Sequence, residues 1–429
     1  MFIHAGFVLA VIVAAFGVAK FLRLNTELSM LAGAVAGAVA HFHGLPVRHL
    51  VEGAFTYFDV CLIFLTATFF MNLLKEAGGI AFIVRWIVRT FHARRSVCLL
   101  LLTLVMLVPG ALTGSGAATV LTVGTLVGSV LLTMGVTHTR TAAIVFLCAA
   151  MSAAAPPINL WAMMAAAGAN MPYVGFMLPL LVLSVTGALL SMFLLAGRGE
   201  PIDLESALAT LPEPPKDMSW GRVLLPFGVL FALVVAGRLF PFRMPILGLP
   251  LIFLLSAAAV LLVSPVRLPL FDIACTTTRS LMPLVGIMVV VGVLIQVMAA
   301  SGSRGLISLG VVTLPLGVLF ATLFLILPIS EGAVQYAAAP LLGVPLIMLF
   351  NMKGMDPVIA LSAMAVMWPL GDCLPPTAVV GRAVVMELDY KGRYYGDFLK
   401  ACLVPAALIS LLATLFLVFS KNLAFLVGG

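Results

Sequence analysis

The chain has 429 residues, of which 63% are hydrophobic and only 9% charged, too little polar surface to cover a water-soluble globule of that size. A mean hydropathy of +1.23, with 38 glycines and 26 prolines set among apolar stretches, excludes disorder, a coiled coil and a soluble enzyme. Near-continuous apolar runs of about 20 residues exclude an outer-membrane barrel and imply helices in a lipid bilayer. The net charge of +7 is read by position, because in a membrane chain Lys and Arg placement sets topology; it implies no nucleic-acid partner.

The first apolar run begins near Ala5, with no cationic segment before it and no small-residue cleavage site after it, so a retained helix with an outward N-terminus is expected. Runs at about 5–22, 28–42 and 54–74 predict three spanning helices, the last flanked by Asp59 and Lys75 as interface residues. The basic stretch carrying Arg85, Arg89, Arg94 and Arg95 then predicts a cytoplasmic amphipathic segment. Two apolar arms follow within about 97–134, joined by the polar turn Thr113-Gly114-Ser115-Gly116-Ala117-Ala118-Thr119 and closed by His138 and Arg140. With basic flanks on the same side, they predict a re-entrant hairpin whose tip is buried in protein. A helix over about 141–170 is broken at Pro156-Pro157, and a further helix covers about 173–196.

Residues 197–220, with Glu200, Asp203, Glu205, Glu213, Lys216 and Asp217 among four prolines, predict a polar cytoplasmic linker. Apolar runs then lie at about 222–239, 246–263 and 281–300. A second hairpin is expected over about 305–350 with its tip at Pro328-Ile329-Ser330-Glu331-Gly332. A second broken helix follows over about 357–388, interrupted at Pro375-Pro376, and a last helix starts near 401. The six cysteines stand singly in apolar surroundings and read as small buried hydrophobes.

The two halves share a register. Pro109 and Pro328, Gly124 and Gly343, Gly135 and Gly354, Pro156 and Pro375, and Pro157 and Pro376 are all separated by 219 residues. Such a recurrence indicates an internal repeat. Counting crossings makes the two units inverted, and the resulting topology puts roughly three-quarters of the Lys and Arg inside. The expected fold class is therefore an all-α polytopic membrane protein. Two inverted repeats, 1–196 and 221–429, each hold a re-entrant hairpin and a Pro-Pro-broken helix.

Broken helices at membrane depth are tolerated where they line a cavity or bind a ligand. At the first tip, Gly114 and Gly116 allow close backbone approach, Thr113, Ser115 and Thr119 offer hard oxygens suited to Na⁺, and Ser115 is also a candidate substrate contact. The Pro156-Pro157 break frees carbonyls from Ser152 to Ala155 as cation ligands and puts Asn159 forward as a substrate contact. In the second unit, Ser330, Glu331, Gly332 and Asp372 are the cation or proton candidates, while Thr377 and Arg382 are candidates to meet an anionic substrate. Gly114-Ser115-Gly116 is no hydrolase elbow, since the nearest downstream histidine, His138, lies across the hairpin. There is no Walker motif, so ATP hydrolysis by this chain is excluded.

The order basic loop, Thr-Gly-Ser-Gly-Ala-Ala-Thr tip, Ala-Ala-Pro-Pro break, linker, second hairpin and Leu-Pro-Pro break resembles the large membrane subunit of tripartite ATP-independent periplasmic (TRAP) transporters. The resemblance covers nearly the whole chain and is strongest over residues 109–171. It implies an elevator-type secondary transporter in a bacterial inner membrane, importing a small, dicarboxylate-like organic acid with Na⁺ and no organic cofactor. It also implies two partners, a small four-helix membrane subunit and a periplasmic substrate-binding protein. Residue by residue, it implies one Na⁺ site at the tip around Ser115 with the carbonyls before Pro156, and another at the tip around Gly332 with the break before Pro375. Two departures stand out: Glu331 where small neutral residues are usual, and the stretch from Thr377 to Arg382. They leave open H⁺ coupling and a self-sufficient carboxylate symporter of the same superfamily that needs no binding protein.

Overall fold

The computed structural model describes every residue except 1, 43, 45, 198–202, 241, 242, 244, 246, 428 and 429. Glu200 of the linker thus lies outside the described residues, as does the side chain of Arg238. Among the described residues the chain is helical throughout, and nine helices are long and apolar enough to cross a membrane by length and composition.

Two groups of helices can be separated by what they pack against. One is a framework of Phe2–Phe21, Thr26–Phe42, Val47–Ala54, Phe58–Glu76, Trp220–Leu239, Leu249–Val263 and Leu270–Ala300. Its packing depends on close backbone approach: a side chain at Gly292 would strike the carbonyl oxygen of Gly53 at 2.2 Å. Leu270–Ala300 is longer than the apolar run at 281–300 suggested, starting eleven residues earlier and taking in Asp272 and Arg279. At about 1.5 Å per residue it exceeds the roughly 30 Å hydrocarbon core. Five cysteines are buried as expected, but Cys275 on this helix is exposed.

The other group is an inner core of the two hairpins, the two broken helices, Met177–Ala196 and Leu399–Val418. The first hairpin runs up Arg95–Thr113 and returns through Gly116–Thr133. Its base is closed by Arg95, whose guanidinium donates to the Met134 carbonyl at 2.8 Å and to the Ala196 carbonyl at 2.9 Å. The second hairpin runs up Leu316–Val334 and returns to Met352, and Phe320 stacks on Phe350 across its base. The basic stretch before the first hairpin forms the helix Gly79–Phe91, buried along Ile80, Val84 and Ile87. Arg85 pins the linker to it, donating to the carbonyls of Leu208 and Leu211. The linker is consequently docked, with a short helix Leu204–Thr210 and a buried Leu211, because its apolar residues cover that face.

The 219-residue spacing recurs in the backbone. A five-residue π-type turn occupies Val120–Gly124 and another Ala339–Gly343, the same distance apart, and Gly135 and Gly354 both take positive φ.

Candidate functional site

Local sequence explains how the first tip and break are shaped. Gly114, at φ 68°, ends the ascending arm in the left-handed conformation that a side chain disfavours. Ser115 then caps the descending arm, its hydroxyl accepting from the Ala118 amide at 3.4 Å. Thr113 donates to the Pro109 carbonyl at 2.8 Å, and Thr119 pairs with Ser152 at 2.6 Å. The tip sits against the broken helix so closely that a side chain at Gly116 would reach the Ala149 carbonyl at 3.0 Å.

Pro156 forces Ala155 out of helical geometry, to φ −74° and ψ 148°, and the helix His138–Ala154 stops there. Asn159 rebuilds the break. Its amide donates to the Ala154 carbonyl at 2.8 Å while its side-chain oxygen accepts from the Ala162 amide at 2.9 Å, capping Leu160–Gly168. Asn159 is fully buried and has both functions occupied by backbone, so it holds the break together and does not face the cavity described below. The Ala154 carbonyl, expected to be free, is taken by Asn159, and the Ser152 carbonyl accepts from the Ala155 amide.

The second unit differs. Its ascending helix continues through Ser330, Glu331 and Gly332 and turns only at Gln335, which takes φ 53°. The tip lies three to five residues beyond where the Ser-Glu-Gly sequence suggested. Gly332 lets the helix pass close to the Leu374 side chain and does not turn it. Thr377 stitches the second break to this hairpin, its amide and its hydroxyl both donating to the Gly332 carbonyl, at 3.2 and 2.9 Å. Arg382 is exposed, donates to the Pro376 carbonyl at 3.4 Å and is not among the residues that line the cavity described below.

A cavity of about 260 Å³ lies where the framework meets the core. Ser115, Ala117 and Ala118 of the first tip, Gln335 and Tyr336 of the second, and Asp372 of the second break form one wall. Thr68, Asn72, Ser280 and Leu284 of the framework form the other, with Glu27 beside them. Among the described lining residues there is no Lys or Arg, so an anion held there would meet the hydroxyls of Thr68, Ser115 and Ser280 and the side-chain amides of Asn72 and Gln335. The framework wall is braced by Asn72 donating to Thr277 at 2.8 Å. Lys75, read from sequence as an interface residue, donates to the Leu121 carbonyl of the first hairpin at 2.9 Å, and Leu121 borders the cavity.

Sequence reasoning missed Tyr336, Gln335, Trp161, Thr68 and Asn72. The repeat register pointed to the second tip, but nothing local marked framework residues as its neighbours. Trp161, in the helix after the first break, reaches into the second unit, where its ring lies 4.8 Å from that of Tyr336. Tyr336 in turn interacts with the Ser115 hydroxyl. Glu331 is fully buried, and neither carboxylate oxygen has a hydrogen-bond partner. The indole N–H of Trp161 is close to it but outside hydrogen-bonding geometry, and Asp372 is its electrostatic neighbour.

The candidate cation residues divide by fit. Around the first break, Thr113, Ser115, Thr119 and Ser152 gather neutral oxygens beside Gly114, Gly116 and Ala155, a donor chemistry that suits a hard monovalent ion. The second set does not suit one. The Gly332 carbonyl already accepts twice from Thr377, and an indole N–H faces Glu331. Among the described residues, no group of three or more His, Cys, Asp or Glu side chains forms a metal site.

Residues 29–196, which include the first hairpin and the first broken helix, match a family model described as DcuC, C4-dicarboxylate anaerobic carrier. Solved structures share the fold over most of the chain. MtrF of Neisseria gonorrhoeae, reported as illuminating a class of antimetabolite efflux pumps, superposes with a TM-score of 0.60 over 87% of this chain and 84% of its own, at 14% identity. The fold is that of a membrane transporter. The YdaH transporter of Alcanivorax borkumensis, described as having an unusual topology, matches equally well, with a TM-score of 0.60 over 88% of this chain and 89% of its own, at 16% identity. No curated protein matches the sequence. A carrier family and transporter structures together indicate a transporter rather than an enzyme.

Proposed function

We propose that this chain is a secondary active transporter that carries a small, dicarboxylate-like organic acid across a bacterial inner membrane, driven by a Na⁺ gradient. The observation that carries the reading is the cavity between framework and core, on which both hairpin tips and the second break converge. The dicarboxylate-carrier match over residues 29–196 supports the substrate class. Thr113, Gly114, Ser115 and Gly116, with Ser152 and Ala155, are the residues that would hold Na⁺, whose charge would help bring an anion to a cavity with no Lys or Arg among its described lining residues. Recurrence of the π-type turns at the 219-residue spacing supports a structural repeat, and the count of crossings in the sequence is what favours its being inverted. A cavity shared by two separable groups of helices supports an elevator movement of one against the other, with re-entrant hairpins travelling in the moving part.

The carrier match favours the self-sufficient symporter. The second reading, the large subunit of a TRAP-type assembly with a small four-helix subunit and a periplasmic binding protein, rests on the motif order in the sequence. Uptake of labelled C4-dicarboxylates into proteoliposomes holding this chain alone, under an imposed Na⁺ gradient, tests both. Uptake by the chain alone supports the self-sufficient form, uptake only with the partners added supports the assembly, and uptake in neither case sinks the carrier reading.

A further inference from the structure

We infer that Glu331 and Asp372 form a proton-binding pair through which a proton gradient drives transport, in place of a second Na⁺ site. The inference rests on the carrier reading and goes beyond it by assigning the second unit a different ion from the first. Glu331 projects from the last turn of the ascending arm of the second hairpin, and Asp372 from the second break packed against it. The two carboxyls neighbour each other, and neither takes part in an ion pair among the described residues. Glu331 is buried with both oxygens unpartnered, whereas Asp372 borders the cavity.

Two anions cannot share a dry pocket without positive charge between them. A Na⁺ ion would require several further oxygen ligands, and the Gly332 carbonyl beside Glu331 already accepts twice from Thr377. The remaining neighbours include a donor, the Trp161 indole N–H, which is set against a cation and suits a carboxyl group that exchanges a proton. The other titratable groups facing the pair are Tyr336, which interacts with both carboxyls, and Cys373 beside Asp372. Glu27 lies across the cavity, and Lys75 donates to the carbonyl of Leu121, which borders it.

The step is a simple transfer. A proton from solvent in the cavity binds an Asp372 carboxylate oxygen; that O–H bond breaks as one forms on a Glu331 oxygen, and the reverse sequence releases the proton on the other side. Trp161 belongs to the first unit, so its contact with Glu331 makes the charge state of the second unit felt across the boundary between the two.

The test uses the full chain reconstituted with labelled succinate. With one proton per substrate, a gradient of one pH unit sustains about tenfold accumulation in the wild type. Glu331→Gln is expected to keep counterflow exchange, which needs no net proton movement, while pH-driven accumulation falls about tenfold to the equilibrium level. Should E331Q not fold, Asp372→Asn is read for pH-driven accumulation alone, which is expected to fall in the same way; because Asp372 borders the cavity, its counterflow is not expected to stay at the wild-type level. Accumulation equal to wild type in both variants, or wild-type accumulation under Na⁺ that is indifferent to pH, overturns the inference. Absence of wild-type counterflow with every C4-dicarboxylate sinks the carrier reading instead. A readout without substrate separates the two: in a chain whose Trp86, Trp220 and Trp368 are replaced by Phe, Trp161 fluorescence is expected to titrate with pH and to lose that titration in E331Q. Fluorescence insensitive to pH, or unchanged by E331Q, overturns the proton pair whatever the substrate is.

Discussion

The two hairpin-and-break units share a backbone plan and differ in chemistry. In the first, hydroxyls and carbonyls surround the tip, the turn is made by Gly114, and the break is locked by Asn159. In the second, two carboxyls and two aromatic rings occupy the corresponding region, the turn is made by Gln335, and Thr377 provides the lock. Even the contact between hairpin and broken helix is preserved with its parts exchanged. Gly110 on the hairpin makes room for Ser152 on the broken helix, while in the second unit Gly371 on the broken helix makes room for Pro328 on the hairpin. A repeat can keep its geometry while each copy takes a different ion chemistry, because close approach requires a small residue on only one of the two surfaces.

Gly371→Ala should break the comparison most severely. Its side chain would lie 1.9 Å from the Pro328 carbonyl oxygen, a backbone atom that cannot swing away. A loss of about 3 kcal/mol or more is expected, seen as a large fall in the detergent melting temperature or in folded yield. Gly110→Ala meets the Ser152 hydroxyl at 2.1 Å as well as its backbone, and a comparable loss is expected; a mild effect there would show the first contact to be the softer one.

The two locks come next. Asn159→Ala removes a helix cap and a bond to the Ala154 carbonyl, and should cost about 2 kcal/mol of stability. Because Asn159 does not line the cavity, substrate KM measured on the folded fraction should change less than about twofold; a large rise in KM with unchanged stability would return Asn159 to the substrate. Thr377→Val removes the hydroxyl bond to the Gly332 carbonyl but keeps the backbone one, so about 1 kcal/mol is expected. Arg382→Ala should have the smallest effect, within about 0.5 kcal/mol in unfolding and with transport near wild type, since the side chain is exposed and makes one long contact. Loss of transport in that variant would mean that Arg382 meets substrate in another state of the cycle.

Much of the fold was legible because lipid leaves few alternatives. Apolar run length, Gly114 at a polar tip and the two Pro-Pro breaks located the first hairpin and both broken helices to within a few residues, whereas the second hairpin starts at Leu316, eleven residues after the expected 305, because a separate helix, Ser303–Val312, occupies that stretch. Reading the second tip at Gly332 failed for a specific reason: glycine signals both a turn and a close helix contact, and sequence does not say which. Asn159 shows the same ambiguity between a ligand and a cap. Arg382 attracted attention as a lone cation near a break, yet it is exposed and does not line the cavity.

The sequence by itself determined that the chain is a helical membrane protein, that its second half echoes its first at a fixed spacing, and that Glu331 and Asp372 are costly residues at membrane depth. Tertiary structure alone decided which of these meet. It brought Ser115, Tyr336 and Asp372 to one cavity wall and set Thr68 and Asn72 opposite them, more than 40 residues distant in the chain. The physical reason is that periodicity and breakers act over one or two helical turns, whereas a binding site is set by which helices pack together. That choice depends on small residues such as Gly53, Gly292 and Gly371, whose value appears only once the opposing backbone is in place.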